Sequence, residues 1–299
     1  MYEIKENSVS ALDYGVKLCY NKQCFPSEVT IMLIDFHVHC FNEKIAEKAI
    51  SVLEERAGIA PYTRGLISQT TAFFDKWGVD KGVLLPIATK PSQQKVINDW
   101  AAAQDGGRFI SFGSVHPDAE DLTEELDRIV ELGLHGIKLH PDYQGFMVDE
   151  DRLDPMYDEI AKRGLPVVFH AGFDVVSPKL IHCPPERALN LIKKHPTLKI
   201  VLAHLGGNDC WQQVYDVLAG VDGEVYFDTA FTSRYLTTGL MEKIISKHGA
   251  DRVLFASDCP WDDPSEIKEC IMRTSLSDDD KEKIFSGNAV RLLGLEGQV

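Results

Sequence analysis

The chain predicts an α/β fold, a (β/α)8 TIM barrel. Eight short β-branched apolar runs alternate with amphipathic helical stretches, as a parallel barrel requires. After a longer first gap the runs recur roughly every 25 to 33 residues, the length of one strand and helix unit. Four runs end in residues able to ligate a metal, and strand C-termini are where such a barrel keeps its functional groups. A doubly wound open sheet is the competing architecture, but the Gly-rich phosphate fingerprint it often carries after its first strand is absent.

The first strand is predicted at 32–39. The apolar run Ile31-Met32-Leu33-Ile34 reads as buried, and Asp35-Phe36-His37-Val38-His39 closes it. Successive side chains of a strand alternate faces, so His37 and His39 should point the same way and share one cation. Asp35 is expected on that same face one layer deeper, where a buried carboxylate needs a partner, with Lys138 the obvious candidate. A helix follows with Leu66, Ile67, Thr70, Phe73, Phe74 and Trp77 on one face. Strands are expected at 82–87 and 109–115, then a helix carrying Leu122, Leu126, Ile129 and Val130. Gly133, Gly164 and Gly249 should stop helices in the left-handed conformation that glycine tolerates. The remaining strands are expected at 136–140, 166–170, 199–204, 224–229 and 252–257. Ser277-Asp278-Asp279-Asp280 reads as the capped start of a closing helix, with a second turn after Gly287-Asn288. Met32 directly precedes the first strand, so residues 1–31 are expected to be an N-terminal extension, either an arm or non-native sequence. Residues 32–299 should form one metal-dependent domain.

Composition narrows the function. A net charge of −15 lacks the clustered Lys and Arg that a nucleic-acid partner demands. No apolar stretch approaches the ~20 residues of a membrane span, and the first thirty residues lack a signal-peptide core. Seven cysteines, an odd number without a Cys-x-x-Cys pair, suit reduced thiols in a cytoplasm. A small-molecule substrate is therefore expected, with no nucleic acid and no membrane, and homo-oligomerisation left open.

His37, His39, His170, His204 and Asp258 all fall at predicted strand ends. A lone strand-end histidine is more often a satisfied core group, but four of them converging with an aspartate point to a metal. Lys138 reads as a structural ion pair or a substrate-carboxylate anchor, with a carbamylated bridge between two metals as the sharper alternative. His116 and His140 each precede proline at a strand end, and Asp228 could orient a ligand histidine. Tyr143, Phe146, Phe173, Phe231 and Trp261 would suit a flat substrate as well as ordinary packing. Arg64, Lys90 and His182 are further loop candidates for a carboxylate.

Taken with Gly136-Ile137-Lys138-Leu139-His140-Pro141, Phe169-His170-Ala171-Gly172, Ala203-His204-Leu205-Gly206-Gly207, Ala256-Ser257-Asp258-Cys259-Pro260-Trp261 and Gly287-Asn288-Ala289-Val290-Arg291-Leu292-Leu293, the first strand resembles the amidohydrolase superfamily. The likeness is to its amidohydrolase-2 branch of TIM-barrel hydrolases and decarboxylases, which includes aminocarboxymuconate-semialdehyde decarboxylase, and it spans residues 32–296. It implies that His37, His39, His170 and Asp258 ligate one metal and that His204 transfers protons or polarises the substrate. Zinc is favoured, with manganese, iron or cobalt as alternatives. Lys138, His140, Tyr143 and Trp261 are the candidate substrate-binding residues. No counterpart of the decarboxylases' substrate-binding arginines is evident, so the leading expectation is hydrolysis of an amide, ester or lactone, with Asp258 and His204 catalytic. Non-oxidative decarboxylation of a planar acid is the alternative, and a non-catalytic metal-binding barrel comes third.

Overall fold

Eight parallel strands follow one another in chain order: β1 (Ile34–Val38), β2 (Lys81–Leu84), β3 (Phe109–Ser111), β4 (Ile137–Leu139), β5 (Val167–Phe169), β6 (Ile200–Leu202), β7 (Val225–Asp228) and β8 (Val253–Leu254). They belong to a computed structural model in which residues 32–297 are described. The extension expected at 1–31 lies outside the described residues. The strands pair as β1-β2-β3 and β4 through β8, and bridges Gly113 to Ile137 and Val38 to Cys259 join the two groups. Phe36 N also donates to Phe255 O at 2.8 Å, so the last strand returns to the first and the barrel closes.

Among the described residues twelve α-helices accompany the strands. They are α1 (Glu43–Ala57), α2 (Ile67–Trp77), α3 (Gln94–Ala102), α4 (Leu122–Glu131), α5 (Pro141–Gln144), α6 (Asp154–Lys162), α7 (Pro185–Lys194), α8 (Trp211–Gln213), α9 (Thr238–His248), α10 (Pro264–Met272), α11 (Asp278–Glu282) and α12 (Asn288–Leu293). The predicted apolar faces explain their docking: Thr70, Phe74 and Trp77 of α2 are buried, as are Leu126 and Ile129 of α4. Val130, expected on the same face, is exposed, because the stripe that meets the strands is narrower than the sequence suggests. Two apolar clusters result. Ile34, Phe36, Val83, Phe112, Val168, Val201 and Leu254 fill the barrel interior, while Leu139, Phe169 and Leu202 pack outward with helix residues such as Tyr157 and Leu191.

Local chemistry at the element ends is mostly as expected. Gly133 and Gly164 take φ of 73° and 68° just past their helices. Gly249 differs, with φ 101° and ψ 120°, because a 3-10 turn, Ala250–Arg252, follows it at once. Ser277 caps α11 by accepting from Asp280 N at 3.2 Å.

The strands are shorter than expected at their C-terminal ends, and the reason bears on function. Past the ladder, side chains take over the backbone's hydrogen bonds: Ala256 N donates to Thr229 Oγ1, Ser257 N to Asp35 Oδ1 and Ala88 N to Ser114 Oγ, at 2.9, 2.9 and 3.0 Å. The barrel mouth is thus held open by polar side chains instead of by sheet. A bulge between Asp35 and Val38 also breaks the strict alternation of β1. Phe36 turns into the interior, and Asp35 is satisfied by Ser257 and by His37 N at 3.2 Å. The expected partnership of Asp35 with Lys138 does not form.

Candidate metal centre and its cavity

His37 and His39 stand at the mouth with their Nε2 atoms 3.1 Å apart. The other nitrogen of each ring is committed: His37 Nδ1 donates to Asp228 Oδ2 and His39 Nδ1 to the Leu85 carbonyl, both at 2.9 Å. Both Nε2 lone pairs therefore face each other with no proton between them. Asp258 Oδ1 adds a third acceptor, 3.5 Å from His37 Nε2 and 3.3 Å from His39 Nε2. These three acceptors, of which His39 is half-buried, meet with Lys138 Nζ as a neighbouring donor 3.3 Å from His37 Nε2, and their crowded lone pairs suit a cation lying among them. Their separations match the edges of a tetrahedron built on bonds of about 2.0 to 2.2 Å, so the residues fit a divalent metal.

Electrostatics supports the same arrangement. Burial, helped by the Lys138 charge, lowers the His37 imidazole well below its ordinary value, and a neutral ring is what a metal needs. Burial pushes the Asp258 carboxyl upward, but His37, His39 and His204 together outweigh it and leave it below the usual range. Asp228 also receives the backbone N–H groups of His204 and Ala230, at 2.9 and 3.1 Å, and so fixes two histidines at once.

His170 and His204 adjoin this cluster. His204 Nδ1 donates to Ala230 O and its Nε2 meets His170 Nδ1, each at 3.0 Å. His170 Nε2 is buried without a hydrogen-bond partner among the described residues. It belongs to a second donor group with His140 and Asp174, in which Asp174 Oδ2 lies 3.8 Å from His170 Nε2 and 3.5 Å from His140 Nε2. The structure thus brings His37, His39 and Asp258 together and sets His170 beside them in a neighbouring group. Asp174 was not singled out from sequence, because it lies in the loop past β5 where no periodicity marks it. His140 is sandwiched between the rings of Tyr143 and His170, at 3.6 and 4.2 Å. His204, Phe231 and Asp258 all adopt positive φ without being glycine, a concentration of backbone strain at the mouth.

A cavity of about 660 Å³ opens above these groups. Lys138, His140, Tyr143, Phe173, Phe231 and Trp261 line it, whereas Phe146 is in the core. Lys138 is wholly buried, its Nζ 3.3 Å from His37 Nε2, and burial lowers its amine to about 8. No arginine lines the cavity among the described residues. Arg64 is held by Glu47 and Glu54 of α1, and His182 by Asp142. Neither these two nor Lys90 and His116 lines the cavity.

The amidohydrolase family profile matches residues 34–295. The chain belongs to that family. Among known proteins this amidohydrolase-family chain is 26% identical over 233 residues to a gamma-resorcylate decarboxylase of Rhizobium sp., covering 64% of this chain and 71% of that one. In fold it is similar to a TIM-barrel protein of Bordetella bronchiseptica, with a TM-score of 0.71 and 21% identity over 89% of this chain and 99% of that one. It is likewise similar to a dihydroxybenzoic acid decarboxylase of Polaromonas sp. solved with manganese and 2-nitroresorcinol, with a TM-score of 0.65 and 19% identity over 89% and 97%. The predicted TIM barrel stands. The expectation of hydrolysis does not: the matched relatives are decarboxylases, which outweighs the missing arginines that favoured hydrolysis. No helix among the described residues is long and apolar enough to cross a membrane.

Proposed function

We propose that this protein is a metal-dependent, non-oxidative decarboxylase of a planar aromatic acid. The observation that carries the reading is the floor of the cavity, where the acceptor cluster of His37, His39 and Asp258 faces a slot walled by Tyr143, Phe173, Phe231 and Trp261. Its decarboxylase relatives support it. His37, His39 and Asp258 would hold the ion, and His170, the fourth ligand expected from the family resemblance, adjoins them in the group it forms with His140 and Asp174. When bound, a divalent ion supplies Lewis acidity to a substrate oxygen. Zinc suits the imidazole-rich donors, and manganese is the alternative that the Polaromonas structure suggests.

The chain's own groups do the rest. Lys138 attracts the carboxylate into a water-poor floor, and the flat rings hold the aromatic plane. As the carbon–carbon bond breaks and carbon dioxide leaves, the ring carbon must gain a proton. His204 is assigned that transfer: its Nδ1 is tied to Ala230 O, so its Nε2, which faces His170 Nδ1, is the nitrogen left to take up a proton and pass it to the ring carbon. Asp258, beside the same oxygen-binding floor, balances charge during the step. A cytoplasmic setting is part of this reading, supported by five described cysteines without a disulfide.

The test is release of carbon dioxide from a panel of hydroxylated aromatic acids, by protein loaded with zinc or manganese. Release that disappears in His204→Ala and Asp258→Asn is expected. No release from any acid with either metal would sink the proposal.

A further inference from the structure

The cavity does not stop at the metal centre. It runs outward between α1 and α3, where Ile45, Ala49 and Leu53, spaced four apart, face Val96, Ile97 and Trp100. This stripe borders the one α1 uses for docking, Ala46 and Ile50, so the apolar arc of the helix continues past the part that the barrel covers. At the outer end Ile45 is 54% and Val96 64% exposed, unusual for large aliphatic side chains on facing helices. The whole space of about 660 Å³ is of the size that houses a drug-sized molecule, whereas about 150 Å³ suffices for benzene. The lining lysines are Lys138 at the floor and Lys44 on α1.

We infer that the α1–α3 groove binds an apolar tail on the substrate, so that the acid decarboxylated carries an alkyl chain or a second hydrophobic group. The inference rests on the decarboxylase reading for the orientation of that acid. Its carboxylate goes to the Lys138 and metal floor, and its tail lies along Leu53, Ile97 and Trp100. Continuity decides the occupant: groove and metal floor are one cavity, so a ligand anchored at the floor has its far end in the groove. The two exposed aliphatic residues then mark where the tail leaves or ends.

Titration calorimetry on the metal-loaded full chain, with 2,4-dihydroxybenzoates bearing hydrogen, methyl, propyl or pentyl at carbon 6, tests this, with carbon dioxide release measured separately. Affinity should rise roughly threefold to fourfold per methylene, the return for burying that group. Ala49→Trp, which fills the groove, and Val96→Glu, a change at an exposed position, should each abolish or shrink the increment, with thermal unfolding confirming the fold. A series without increment overturns the inference, and if the chain dimerises at the same concentrations the groove belongs to a second copy. Increments that survive both variants overturn it too. Carbon dioxide release without an increment leaves decarboxylation standing and removes the groove, while increments without release do the reverse.

Discussion

Asp228 shows how much a single carboxylate carries. It accepts from the His37 ring and from two backbone N–H groups, fixing the tautomer that leaves His37 Nε2 free. Partners of this kind are worth about 10- to 100-fold in metal affinity. Asp228→Asn should therefore weaken zinc binding by that factor in a competition titration while the circular dichroism spectrum is kept. His248 makes a separate point. Its ring stacks on Phe227 at 3.8 Å, its Nε2 donates to Val225 O, and burial, then the Arg252 charge, lowers it to about 3. The unfolded chain protonates this group near pH 6.5, so between pH 6.5 and 3 the unfolded state binds the extra proton. Stability should fall with falling pH at up to about 1.4 kcal/mol per unit in that window. His248→Gln should flatten this part of a urea-denaturation pH profile, and an unchanged slope would refute the assignment.

At the scale of elements, β4 is preceded by a glycine, Gly136, for a steric reason. A Cβ on Gly136 would fall inside contact distance of the Phe112 ring, which is fully buried in the interior cluster. Gly136→Ala should cost about 1 to 3 kcal/mol, as overpacked cores do, and denaturant midpoints would show it. Strand order and helix faces were legible because burial imposes periods of 2 and 3.6 on the sequence. Strand lengths were not, since Thr229, Asp35 and Ser114 replace ladder partners at the mouth and nothing in the local pattern marks the exchange. The bulge in β1 was likewise hidden: Phe36 reads the same whether it faces helices or interior, yet its turn separates Asp35 from Lys138.

For the whole molecule, the donors were legible as residue types but their grouping was not. His37, His39 and Asp258 converge as spacing and topology suggest, whereas Asp174 joins His140 and His170 from the loop after β5. An ion held by His37, His39 and Asp258 would join the end of β1 to the loop after β8, the two ends of the closed barrel. Removing it with a chelator should lower the thermal midpoint by several degrees, with restoration on adding zinc, and a midpoint indifferent to chelator would argue that this cluster holds no ion. The cavity's outer walls have a practical consequence of an optical kind. Of the four tryptophans, Trp77 and Trp211 are buried elsewhere, while Trp100 and Trp261 stand at the rim. A ligand settling there would displace water from two indoles at once, so the protein's own fluorescence reports occupancy of the cavity whether or not the bound molecule reacts.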